Sequence, residues 1–293
     1  MYSRILVPLD GSILSEGVLP YARAMARAIN VPVELLRVNE PVQPNVPLPA
    51  KPVGEYLENI AASFAGITDV KCRVEPGSPA DGIVDHAAAQ SDTLIAMATH
   101  GRSGAQRYLL GSVAEKVLHA TTNDVLLVRA EGGDTGGEAR LNTVLVPLDG
   151  SELAEKALPT ATGIAARLKL KIVLVRALVR FFFETPEPVL PVFGTHRQNQ
   201  KDLWAQAGTA ATEYLNEKVA RLRAEGLSDV SCVLIEDGAE GAAAAIIDLA
   251  KEISDSLVVM STHGRSGIGR WLLGSVTERV MRHSSVPVLV IRP

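Results

Sequence analysis

The block MATHGRSGAQRYLLGSVAEKVL, beginning at Met97, returns as MSTHGRSGIGRWLLGSVTERVM at Met260. A shorter string, VPLDGS, spans Val7 to Ser12 and returns from Val146 to Ser151. Two separated blocks recurring in the same order mean that one unit is written twice. The chain must therefore fold into something that can be built twice. This predicts a first domain over residues 1–130, a linker over 131–140 and a second domain over 141–293. The linker lies in RAEGGDTGGEAR, which is rich in glycine and charge and has no apolar period. Asp10 and Gly101 are 91 positions apart, whereas Asp149 and Gly264 are 115 apart. The 24 additional residues are expected in loops and in one lengthened helix.

Each copy alternates short β-branched apolar runs with helical stretches. The strands predicted in the first copy are Arg4–Val7, Val33–Val38, Val70–Val74, Thr93–Met97 and Val125–Val128. Helices are predicted from Ser12 to Asn30, Glu55 to Ala65, Pro79 to Gln90 and Ser112 to Thr121. The second copy repeats the strands near Thr143–Val146, Lys171–Val175, Val230–Ile235, Ser256–Met260 and Val288–Ile291. Runs apolar on both faces suit a parallel sheet covered by helices, and the alternation implies right-handed βαβ crossovers in an open doubly wound sheet. Pro20 and Pro159 fall inside the first helix of each copy, where a kink or delayed start is expected. Residues 40–52 hold five prolines and cannot be a helix or a central strand. In the second copy the same place carries Phe181, Phe182 and Phe183. That stretch reads equally as a lid or as a segment without fixed structure.

Composition narrows the class. At 293 residues, 47% apolar and 21% charged, the chain can bury two cores. A net charge of -4 gives no footprint for nucleic acid. No apolar run reaches membrane-spanning length, and Met1 leads directly into the strand-like RILVPL without a signal-peptide pattern, so a cytoplasmic setting is expected. The two cysteines, Cys72 and Cys232, occupy matching strand-like runs and read as buried small hydrophobes.

The chemistry gathers at the carboxyl ends of the first and fourth strands, which flank the crevice where strand order reverses in such sheets. After the fourth strand come His100, Gly101, Arg102, Ser103 and Gly104, and Gly111-Ser112 opens the next helix. Glycines there let backbone N–H groups approach a ligand, and a helix N-terminus favours anions such as phosphate. Ser112 with Glu115, and Ser275 with Glu278, match the S-x-x-E capping box. Asp10 and Asp149 end the first strand of each copy, where a carboxylate can meet a ribose hydroxyl, an adenine amino group or a metal-bound water; a helix cap or turn is the alternative. Neither a Walker loop nor a dinucleotide fingerprint is present, since Leu272 stands where Gly267-Ile-Gly269 would need its third glycine.

These residues resemble the universal stress proteins, in a tandem form of the ATP-binding type. The likeness rests on the family motif G-x-x-G, nine residues, then G-[ST]. Gly101 is followed by nine residues to Gly111-Ser112, and Gly264 by nine to Gly274-Ser275. The motif's first glycine is Ala98 in one copy and Ser261 in the other. The resemblance implies two tandem α/β domains, Rossmann-like and of the adenine nucleotide alpha hydrolase-like kind, each an open five-stranded parallel sheet with helices on both faces.

It further implies that ATP, with Mg2+ as an optional companion, is the ligand. The phosphates fall to Gly101, Arg102, Gly111, Ser112 and Val113, and the adenosine end to Pro8, Leu9, Asp10 and Val38. The second copy supplies Pro147, Leu148, Asp149, Ala177, Gly264, Arg265, Gly274, Ser275 and Val276. His100 and His263 read either as phosphate contacts or as packed turn residues. Family members pair through the last strand of the domain, which implies an internal pseudo-dimer through Val125–Val128 and Val288–Ile291, with a homodimer of chains as a further level. Two alternatives to nucleotide-dependent signalling are a slow ATPase and a nucleotide-free scaffold acting through protein contacts. Binding is favoured because no titratable pair is clearly placed for proton transfer.

Overall fold

A computed structural model of the chain describes residues 2–40, 53–90, 92–99, 110–129, 137–179, 195–236, 240–262 and 274–292. The apolar runs form the first-half strands β1 (Arg4–Pro8), β2 (Val33–Asn39), β3 (Val70–Pro76), β4 (Thr93–Ala98) and β5 (Val125–Val128). Between them lie α1 (Ile13–Glu16), α2 (Leu19–Ile29), α3 (Val53–Ala62), α4 (Pro79–Ala88) and α5 (Ser112–Ala120). The second half repeats the strands as β6 (Thr143–Pro147), β7 (Lys171–Ala177), β8 (Val230–Ile235), β9 (Ser256–Ser261) and β10 (Val288–Ile291). Its helices are α6 (Glu152–Glu155), α7 (Leu158–Leu168), α8 (Thr195–Ala224), α9 (Ala242–Glu252) and α10 (Ser275–His283). The lengthened helix is α8, with 30 residues against 10 in its counterpart α3.

The expected first helix is divided in both halves. The four-residue α1 is capped by Ser12, whose Oγ accepts the Ser15 N–H at 3.1 Å. The chain then restarts at Leu19 with Pro20 in the first turn of α2, where a missing N–H leaves no hydrogen bond unmade. Pro159 plays the same part in α7. The prolines thus delay the start of the helix rather than kink it.

All strands join one ten-stranded sheet in the order β3-β2-β1-β4-β5-β10-β9-β6-β7-β8. Pairing is parallel within each half and antiparallel where they meet, with Val288 opposite Leu127, Leu289 opposite Leu126 and Val290 opposite Val125. The expected internal pairing of β5 with β10 is therefore present. Alternate strand residues feed two cores, as the strand period of two requires. Ile5, Val7, Leu126 and Leu289 face α2, α3, α7 and α8, whereas Leu6, Leu127 and Val288 face α4, α5, α9 and α10. Both cores run across the junction. On the second face Arg282 of α10 donates to Glu278 at 3.0 Å and reaches Glu115 of α5 at 2.6 Å.

The cysteines are not buried as their sequence context suggests. Cys72 is exposed and Cys232 partly so. They lie on β3 and β8, the two outermost strands, each of which has a strand neighbour on one side only. The proline-rich stretch and Phe181–Phe183 lie outside the described residues.

Candidate nucleotide site

Strand order reverses between β1 and β4 in the first half and between β6 and β9 in the second. After β1 the chain passes to α2 on one face, and after β4 to α5 on the other, which opens a crevice at the strands' carboxyl ends. Pro8 closes β1, and the Leu9 N–H donates to the Leu36 carbonyl at 2.9 Å, which delivers Asp10 to the lip of the sheet. There Asp10 Oδ1 accepts the Ser12 N–H at 2.9 Å and the Ser12 hydroxyl at 2.6 Å. Asp149 repeats this with Ser151 at 2.9 and 2.6 Å. Gly11 and Gly150 have φ of 78° and 87°, so this turn calls for glycine after each aspartate. One carboxylate oxygen of each aspartate is thus committed to a turn that feeds a helix cap.

The second wall is the β4–α5 junction. Thr99 donates its N–H to Val128 at 2.9 Å, and Gly111 donates to the Thr99 carbonyl at 2.7 Å. Thr262 and Gly274 repeat the arrangement, with distances of 3.1 and 2.7 Å. Thr99 and Gly111 are therefore held together, as are Thr262 and Gly274, placing Gly111, Ser112 and Val113 where β4 leaves the sheet, and Gly274, Ser275 and Val276 where β9 does. The capping box expected at these helices does not form. Gly111 is the N-cap, with extended φ −61° and ψ 146°, Ser112 is already helical, and no side chain caps the end. Glu115 turns instead to Arg282, and Glu278 does the same. Gly274 caps α10 in the same way, also without a side-chain bond. Since any residue can adopt that φ, the absence of a Cβ is what glycine contributes here, leaving the helix end open to close approach by an anion.

Ala98 and Ser261, at the motif's first-glycine position, are both buried. The Ser261 Oγ is buried with no hydrogen-bond partner among the described residues. Val38 ends in contact with α4: a Cβ on Gly82 would stand only 3.0 Å from a Val38 methyl. Its side chain therefore supports the α4 face, and Ala177 holds the equivalent place at the end of β7. His100, Gly101, Arg102, His263, Gly264 and Arg265 lie outside the described residues. Of the expected site, Pro8, Leu9 and Asp10 lie at the carboxyl end of β1 and Ala98, Gly111, Ser112 and Val113 at that of its neighbour β4; their counterparts Pro147, Leu148, Asp149, Ser261, Gly274, Ser275 and Val276 lie at the ends of β6 and β9. Among the described residues no group of His, Cys, Asp or Glu is arranged to hold a metal ion. A groove of about 400 Å³ between α4 and α5, lined by Asp81, Lys116 and His119, meets the site only at Ser112.

One constellation beside the aspartates escapes a reading of the motifs. The Tyr56 hydroxyl donates to Glu16 at 2.9 Å, and the Tyr214 hydroxyl donates to Glu155 at 2.8 Å. Burial and the neighbouring carboxylates push both phenols well above their ordinary range, so they remain protonated donors. Lys218 adds an ion pair to Glu155 at 2.8 Å, and the Arg176 guanidinium stacks 5.2 Å from the Tyr214 ring centroid. Burial opposes ionisation of Glu155, but the bonds from Lys218 and Tyr214 outweigh it and hold its carboxyl below the usual range. A signal was available in the sequence: Glu155 and Arg176 follow Glu16 and Arg37 by the same 139 positions that separate Asp149 from Asp10.

Comparison with known proteins identifies the family and bears out the fold. The model of the universal stress protein family matches residues 1–129 and again 141–292. A universal stress protein of Mycolicibacterium smegmatis is 27% identical over 306 residues, spanning 99% of this chain and 97% of its own. One from Methanocaldococcus jannaschii is 32% identical over 142 residues, covering 44% of this chain and 83% of its own. The crystal structure of a universal stress protein from Archaeoglobus fulgidus shares the fold, with a TM-score of 0.67 at 21% identity, covering 100% of this chain and 99% of that one. One family matched twice, each time over a five-stranded half with its own glycine-capped junction, makes this chain a tandem member of the universal stress protein family.

Proposed function

We propose that the two halves, residues 1–130 and 141–293, each bind adenine nucleotide, with ATP as the ligand, and that the chain works as a stress-response or signalling module. The observation that carries this reading is the duplicated junction in which an uncapped helix N-terminus, headed by glycine, is stapled to the strand beside Asp10 or Asp149. Backbone N–H groups at such an end suit phosphate, and the aspartate turn offers a carboxylate to the sugar or base. The buried Ser261 hydroxyl, without a partner among the described residues, fits a polar ligand at the second site. Any Mg2+ would arrive with the phosphates. Binding is favoured over slow hydrolysis because the oxygens and N–H groups of the described residues position charge rather than move protons.

No described helix is long and apolar enough to cross a membrane, and we place the protein in the cytoplasm. Since β5 and β10 pair within the chain, a homodimer of chains would need another surface.

Calorimetric titration with ATP tests the reading. Gly111→Val should weaken the first site roughly 30- to 150-fold, the scale of one lost charge-assisted contact, because the new methyls stand where phosphate approaches. Gly274→Val should do the same at the second site. Unchanged affinity and stoichiometry in the double variant would remove the glycine junctions as the site, and absence of ATP binding by the unsubstituted chain would leave the scaffold reading. Steady-state phosphate release that disappears in the Gly111 variant would instead favour the ATPase.

A further inference from the structure

The aspartate turns are attached to unusually small helices. Both α1 and α6 have only four residues, too few to hold themselves together in water. Ser12 links Asp10 directly to the start of α1, and Ser151 links Asp149 to α6. The orientation of each carboxylate therefore depends on what fixes the other end of its helix. That end is Glu16 in α1 and Glu155 in α6, and each accepts a hydrogen bond from a tyrosine on the helix after the second strand of its half, α3 or α8.

In the first half a second thread runs the same way. The Asp10 N–H approaches the Ser15 hydroxyl at 3.3 Å, Ser15 also donates to the Ser12 carbonyl at 2.8 Å, and its hydroxyl faces Tyr56. In the second half Ala154 stands in place of Ser15, and Lys218 reinforces Glu155 instead. The ring of Tyr214 also lies close enough to Asp149 to feel its charge. The same latch is thus built twice with different reinforcement.

We infer that Tyr56 with Glu16, and Tyr214 with Glu155, are positioning pairs that hold the Asp10 and Asp149 carboxylates toward the adenosine end of their sites, an inference that rests on the nucleotide reading above. Neither tyrosine needs to touch the ligand. Removing its hydroxyl releases the small helix, and the aspartate turn then samples orientations that do not bind.

The test uses the full chain and two readouts. Amide hydrogen exchange without ligand follows residues 10–18, with 149–157 as an internal control, and ATP calorimetry follows affinity. Tyr56→Phe should raise exchange in 10–18 alone and weaken the first site roughly 3- to 10-fold, the equivalent of one net hydrogen bond. Glu16→Ala should match it. Glu16→Gln keeps an acceptor for the phenol and should retain both protection and affinity, a rescue that general destabilisation would not produce. Unchanged exchange in Tyr56→Phe overturns the latch. Raised exchange with unchanged ATP affinity overturns the positioning role. Absence of ATP binding by the unsubstituted chain overturns the proposed function and the positioning role with it, while the exchange measurement still decides whether the latch holds the turn.

Discussion

Glu34→Ala should lose about 3–5 kcal/mol of folding stability, the cost of leaving buried charges without their partner. The Glu34 side chain is 7% exposed, and its two oxygens organise a network that, among the described residues, has no counterpart in the second half. Oε2 accepts from Arg4; Oε1 accepts from Arg73 at 2.7 Å and pairs with His86 at 3.0 Å. His86 reaches Glu75 through its other nitrogen at 3.2 Å, and Arg4 also donates to Thr93 at 2.9 Å. In the second half the register puts Thr143 at the place of Arg4, Val173 at Glu34 and Val233 at Arg73, and the repeat spacing puts Leu249 at His86. The chain therefore contains its own uncharged control. Converting Arg4, Glu34, Arg73 and His86 together to the second-half residues should be close to neutral, because no charge is then stranded.

The network also sets a pH dependence. Burial alone would raise the Glu34 carboxyl, but His86, Arg73 and Arg4 outweigh it and hold it below its ordinary value. A carboxylate lowered in the folded state contributes stability that is complete above the unfolded value of about 4.3 and disappears as pH falls through the folded one. Urea unfolding across that window should show acid lability in the parent chain and much less in the uncharged quadruple variant. A Glu34→Ala loss under about 1 kcal/mol would sink the idea that this group is a coupled unit.

How far these features were legible in the sequence depends on whether they are local. Strand identity is local: β-branched runs bounded by turn residues mark all ten strands, and each observed strand begins where expected. The repeat spacing likewise exposes the duplicated aspartate turns and glycine junctions. Burial is not local. VKCRV reads as a covered strand, yet the sheet order places it outermost, so Cys72 meets solvent. The S-x-x-E pattern at Ser112 was equally deceptive. A cap needs extended backbone, and the hydrogen bond from Gly111 to Thr99 fixes that conformation one residue earlier, while Arg282 from the other half draws Glu115 away. Tyr56 and Tyr214 were hidden because α3 and α8 differ by twenty residues in length, which breaks the constant spacing that reveals Glu16 and Glu155. Glu34 was hidden for a related reason: one carboxylate in a β-branched strand gives no sign that Arg4, Arg73 and His86 converge on it from three other elements.

Leu126→Ala or Leu289→Ala should each lower stability by about 2–5 kcal/mol and should do so in both halves at once. The two leucines face one another across the antiparallel junction, both are fully buried, and both belong to the core beneath α2 and α7. Deleting either side chain opens a cavity that neither half can close by itself, since the surrounding strands are pinned by parallel pairing on their far sides. Because each core continues across this junction, neither half can unfold without exposing apolar surface of the other. The parent chain is therefore expected to unfold in one cooperative transition despite its duplicated sequence. Hydrogen exchange along a urea series would follow residues 4–128 and 143–291 separately in the same sample. Coincident midpoints that fall together in Leu289→Ala support a shared unit. The double substitution should cost less than the sum of the singles, because both side chains line the same cavity. If the midpoints separate in the parent chain, or if Leu289→Ala moves only the second half, the junction is a contact between two independently folding domains and the continuous sheet does not couple them.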